Sequence, residues 1–132
     1  MFVSSVIMKK ILWVCVALLG VLFLTTGLRW LVAPEGVAAQ LAMPLLDGVG
    51  RSAQIGDMGA FFLALGLFVI CALTTAKRVW FYPAIVLLGL AALSRTVAWL
   101  FHGAPLAVDV IVPEVLITLL LLFASTRLAE QD

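Results

Sequence analysis

Four ionisable side chains stand inside or at the edge of long apolar runs in this chain: Arg29, Asp57, Arg95 and Glu114. Two are basic and two acidic, so their formal charges cancel. An ionised side chain costs about 2.5–3.5 kcal/mol at the centre of a bilayer, and such groups therefore pair, snorkel or line a cavity. The chemistry open to this set is ion pairing, capture of a polar head group, or acid and base work by the carboxylates with the guanidiniums stabilising charge. His102 follows Arg95 by seven residues with Trp99 between them, which puts all three on one helical face. Thr25 and Thr26 precede Arg29 by a turn, Thr118 follows Glu114 by a turn, and Arg51 lies just ahead of Asp57. One histidine with no second histidine or thiolate near it does not make a transition-metal site, so neither a metal nor another cofactor is expected.

The elements that hold these residues follow from composition. The chain is 132 residues long, 65% hydrophobic and 11% charged, with a mean hydropathy of +1.26. There are too few polar side chains to cover the surface of a water-soluble domain, and lipid must be the main solvent. A spanning helix needs about 20 apolar residues. Residues 11–33, 58–76, 79–101 and 110–126 meet that requirement, the last with Pro113 in its first turn, where proline is tolerated. The expected fold is all-α: a polytopic membrane four-helix bundle forming a single domain over residues 1–132. The apolar run after Lys9 and Lys10 is longer than the core of a cleaved signal peptide and is read as a retained span.

Basic residues orient the spans. Lys9, Lys10, Lys77, Arg78 and Arg127 fall on one side, which predicts cytoplasmic termini in a bacterial inner membrane. Trp13, Trp80 and Tyr82 then mark the inner interface, and Trp30 and Trp99 the outer one. Residues 34–56 are too apolar for a flexible linker and are read as lying in the interface, with a short helix opening at Pro34-Glu35 and ending at Pro44. Gly48-Val49-Gly50-Arg51 lacks the third glycine and preceding strand of a phosphate-binding loop and is read as a turn.

On this topology the four charges gather at the outward end of the bundle. Gly59 and Gly66 allow close helix approach, and Ala60 and Ala64 share a face with Asp57, which predicts that Asp57 points inward. Two readings follow. The charges form a structural ion-pair network, or they line an outward-facing pocket in which Arg29 and Arg95 hold an anionic or hydroxyl head while a tail lies between helices. Cys15 and Cys71, far apart within apolar runs, are read as packing residues.

The stretches Gly27-Leu-Arg-Trp-Leu-Val-Ala-Pro-Glu-Gly36, Gly50-Arg-Ser-Ala-Gln-Ile-Gly-Asp-Met-Gly-Ala-Phe-Phe62, and Ser94-Arg95 through His102-Gly103 resemble a family of small bacterial membrane proteins catalogued as a domain of unknown function. The likeness covers nearly the whole chain and implies the same four-helix layout. More loosely, the layout looks like DoxX-type proteins and sterol-isomerase-like bundles; the latter likeness implies acid and base chemistry on a hydrophobic substrate by Asp57, His102 or Glu114. Two functions are therefore expected to compete: binding of a membrane lipid or other amphiphile, or an accessory role beside a membrane protein partner or further copies of itself, against a membrane-embedded enzyme. A net charge of +1 and the lack of a basic run with stacking aromatics exclude nucleic acid.

Overall fold

The computed structural model describes residues 2–130. Their order is α1 (Phe2–Val32), α2 (Pro34–Gln40), α3 (Gly48–Thr75), a 3-10 turn (Arg78–Trp80), α4 (Phe81–Phe101) and α5 (Val108–Arg127). The chain is a polytopic membrane helical bundle. Four of its helices, α1, α3, α4 (with the turn before it) and α5, are long and apolar enough to cross a bilayer, and the short α2 joins the first two.

Each long helix buries one stripe. On α1 this is Leu12, Val16, Gly20, Phe23, Gly27 and Trp30, at the three- and four-residue spacing that keeps side chains on one face. Leu18, Val21, Leu22 and Leu28 on its other faces are exposed, as side chains in contact with lipid must be. The stripe of α1 packs antiparallel on α3. A Cβ at Gly27 would meet Leu63, one at Gly66 would meet Leu24, and one at Gly20 would meet Val69. The α4–α5 pair is antiparallel as well, tied at one end by Arg95 with Glu114 and at the other by Arg78 Nε, which donates to Ser125 O at 3.2 Å. At that second end Glu130 N–H donates to Ala76 O at 2.7 Å, closing the carboxyl-terminal segment onto the α3–α4 turn.

The segment between α1 and α3 differs from its expected form. The helix α2 does open at Pro34, but it ends at Gln40, and Ala42 with φ 56° reverses the chain ahead of Pro44. Gly48–Arg51, expected to be a turn, is the first turn of α3, so residues 48–56 extend the second long helix rather than the interfacial segment. Long-range hydrogen bonds explain this. Gln54 Oε1 accepts from Leu46 N–H at 3.0 Å and its Nε2 donates to Pro44 O at 3.1 Å. Arg51 Nε donates to Leu46 O at 2.8 Å, and its Nη2 pairs with Asp47 at 3.1 Å. Residues 44–47 are thus stitched to the first turns of α3, which removes the need for a free turn. Trp30 is fully buried beneath α2 among Val37, Ala38 and Met58, not set in an aromatic belt facing lipid.

Candidate functional site

At the end of the bundle that carries α2, the α1–α3 pair and the α4–α5 pair separate around a cavity of about 410 Å³. Its walls are apolar. Phe23 comes from α1, Leu41 from the end of α2, Met58, Phe61 and Phe62 from α3, and Leu88 and Ala91 from α4. Val110, Pro113 and Ile117 close it from α5. The aromatic wall is rigid, because Phe62 stands edge-on to Phe61 at 5.2 Å between ring centroids and leans on Phe23 at 6.4 Å.

Into this wall α4 and α5 set Ser94, Arg95, Asp109 and Glu114. Arg95 Nε donates to Glu114 Oε1 at 3.0 Å. Glu114 is buried, at 9% exposure, and its second oxygen, Oε2, has no hydrogen-bond partner. A buried carboxylate oxygen without a donor is costly, and it calls for a donor from a water or from another molecule in the cavity. Pro113, expected in the first turn of its helix, is the sixth residue of α5, because that helix opens earlier than expected, at Val108; lacking an N–H, it removes the helical hydrogen bond to the Asp109 carbonyl beside Glu114. The cavity therefore offers one guanidinium, itself engaged, and two carboxylates: the buried Glu114, with one oxygen unpartnered, and the exposed Asp109, which has no hydrogen-bond partner among the described residues. It lies in the size range of small-molecule sites, which are apolar with a few placed polar groups.

The charged residues read from the sequence separate into two groups. Arg95 and Glu114 meet and line the cavity. Arg29 does not reach it: exposed, it donates to Gln40 Oε1 at 2.9 Å and so ties α1 to the end of α2. Asp57 is exposed and, among the described residues, makes no side-chain hydrogen bond or ion pair; its neighbour Met58 is the one that faces the cavity. The expectation that Asp57 points inward is corrected, since one step along a helix turns a side chain by about 100° and the inward face of α3 runs through Met58, Phe61 and Phe62. Ala60, expected to share the buried face, is exposed with it. The single neutral cluster of four is therefore one ion pair plus two outlying charges.

Arg51 pairs with Asp47 at the surface and His102 caps α4 while exposed; neither lines the cavity. Thr25, Thr26 and Thr118 spend their hydroxyls on carbonyls of their own helices, at 2.9, 2.8 and 2.6 Å. Asp109, missed as a site residue, lies on the cavity wall. Its signal was available: Val110, Pro113, Glu114 and Ile117 follow the spacing of a single helix face, and Asp109 opens that helix.

From this placement, Asp57→Asn is expected to leave thermal stability in detergent within about 0.5 kcal/mol of the parent, as for other exposed positions without partners. A larger loss, read by differential scanning fluorimetry, would restore Asp57 to a buried network. No protein-family model, curated protein or solved structure compared with this chain matches it.

Proposed function

We propose that this protein binds a lipid-like amphiphile whose uncharged, hydroxyl-bearing head sits against Glu114 and Arg95. The observation that carries this reading is the unpartnered Glu114 Oε2 on the wall of an apolar cavity. An acceptor without a donor selects a ligand that donates, and a hydroxyl does so at the least desolvation cost. Arg95 is already turned to Glu114, and Asp109 adds a second negative charge to the wall, so an anionic head would meet net repulsion. Of the two heads expected, anionic or hydroxyl, the hydroxyl is therefore the one proposed, and Arg29, which does not reach the cavity, takes no part in holding it.

The setting proposed for this activity is a bacterial inner membrane with both termini cytoplasmic. Lys9 and Lys10 on α1, and Lys77, Arg78 and Arg127 at the opposite end from the cavity, supply the cytoplasmic positive charge. The cavity then opens toward the outer leaflet, and the chain takes its place beside the small bacterial membrane proteins it resembles. A second reading, acid and base chemistry on a lipophilic substrate, rests on Asp109 and Glu114 sharing one cavity wall. It would show as a changed product when a bound lipid is recovered from the wild type but not from Glu114→Gln.

Binding is tested with a photoreactive hexadecanol, its methyl ether and the matching fatty acid, each competed with unlabelled alcohol in phosphatidylcholine nanodiscs. The alcohol is expected to label better than either by about tenfold, the worth of one charge-assisted hydrogen bond. In Glu114→Gln, Arg95 takes the amide oxygen and leaves the NH2 group facing the cavity. The preference for alcohol over ether should then largely vanish. Equal labelling by alcohol and ether in the wild type would overturn the reading.

A further inference from the structure

We propose that the amphiphile is long-chained and that its tail leaves the cavity sideways, past Ile117, into a groove between α1 and α5; this rests on the head-binding reading above. The groove measures about 380 Å³ and is walled by Cys15, Leu18 and Leu22 of α1 and by Leu116, Ile117 and Leu120 of α5. Ile117 lines both the groove and the cavity, so the two spaces adjoin at that side chain.

The groove lies along a loose seam: of the long-helix pairs α1–α3, α4–α5, α3–α4 and α1–α5, the last brings its backbones together least closely. Glu114, Ile117 and Leu120 recur every third residue on α5. At about 1.5 Å and about 100° per residue they rise roughly 9 Å along α5 while turning about 120° around it, a path from the cavity carboxylate into the groove. One end of that path is polar and the rest is apolar, the profile of a single-chain amphiphile lying along it.

A flexible chain fits this groove better than a second helix does. Membrane helices dock where glycine, alanine or serine lets backbones approach. The chain does this at the α1–α3 seam, where Gly20, Gly27, Gly59 and Gly66 meet the facing helix. The α1–α5 groove has leucines on both walls, Ile117 on the α5 wall, and no small residue except Cys15. Branched side chains of that kind hold two backbones apart and leave an apolar slot between them. The tail thereby reaches lipid directly, and the ligand enters from the bilayer rather than from water.

Two hexadecanol probes decide the point, one with its diazirine near the hydroxyl and one with it near the chain end, each used in phosphatidylcholine nanodiscs with and without excess hexadecanol. Peptide mapping should place competable near-hydroxyl labels on the cavity segments of α3 and α4. Competable chain-end labels should fall on α1 and α5 toward Cys15 and Leu120, the groove residues farthest from the cavity. Ile117→Trp fills the passage, and Leu22→Trp narrows the groove from an exposed position that folding does not depend on. Leu22→Trp is expected to cut competable chain-end labelling on α1 and α5 by about tenfold while near-hydroxyl labelling stays within about twofold; Ile117→Trp, whose side chain also lines the cavity, is expected to cut chain-end labelling by at least as much.

Chain-end labels confined to the cavity segments, or unchanged in both variants, would overturn the sideways exit while leaving head binding intact. So would crosslinking of two copies through Cys15 by a short bismaleimide in the absence of any alcohol, since a second chain would then fill the groove. Absence of competable labelling with both probes would overturn the head-binding reading as well.

Discussion

Arg95→Leu should destabilise the bundle by about 3 kcal/mol, because it leaves Glu114 buried with no partner for either oxygen. The reverse change, Glu114→Leu, should cost distinctly less. Arg95 has a side chain 37% exposed and a long flexible stem, so its guanidinium can turn toward water or lipid head groups when the carboxylate is gone. The asymmetry follows from which partner is trapped, not from the strength of the bond between them. Arg95→Leu combined with Glu114→Leu removes both charges and should recover most of the loss, since a buried pair replaced by apolar groups of similar volume is often neutral. Unfolding in nanodiscs, followed by steric trapping, gives the three values and their coupling. If Glu114→Leu were the more damaging variant, the carboxylate would be serving the fold and not waiting for a ligand.

The ion pair was legible in the sequence only as an expectation that inward charges must find each other. Hydropathy is sufficient for four spanning helices, since bilayer thickness fixes their length and little else in the chain competes. The register of each helix is not so determined. Arg95 and Glu114 fall on the faces that also carry Leu88 and Ala91, and Pro113 and Ile117, so pattern and structure agree for α4 and α5. On α3 the small residues Ala60 and Ala64 point to the Asp57 face as the inner one, whereas Met58 and the aromatic pair Phe61 and Phe62 mark it. Both faces read as apolar in a helix surrounded by lipid, because the solvent side needs no polar residues and periodicity loses its contrast. The first turns of α3 were hidden for another reason. Gly48 and Gly50 argue for a turn locally, and the hydrogen bonds from Arg51 and Gln54 that draw them into the helix join residues five to ten positions apart. Arg29 was likewise placed at the correct end of the bundle, but its partner is Gln40 on α2, a helix whose position against α1 no local pattern encodes.

The glycines at the α1–α3 seam carry a prediction of similar size. A methyl group at Gly66 would lie 2.5 Å from Leu24 Cγ and 2.8 Å from Leu24 backbone nitrogen; one at Gly27 would lie 2.7 Å from Leu63 Cγ and 2.8 Å from its backbone nitrogen. A side chain can rotate away, but a backbone atom can move only if the helix moves. Gly66→Ala and Gly27→Ala are therefore each expected to cost about 2–3 kcal/mol, the upper range for overpacking a filled interior. Gly89→Ala is the matched control. Nothing lies within 4 Å of the added carbon there, and in the middle of α4 the change should stabilise by about 0.4–1 kcal/mol through the unfolded chain alone. The seam also bears on the cavity, because Phe23 stands next to Leu24 on α1 and its ring meets Phe62 across to α3. If α1 and α3 are forced apart, that aromatic wall opens, and competable labelling by the hexadecanol probe should fall together with stability in Gly66→Ala while remaining unchanged in Gly89→Ala. Stability lost without any change in labelling would mean that the cavity is held by α3, α4 and α5 alone, with α1 serving only as its outer cover.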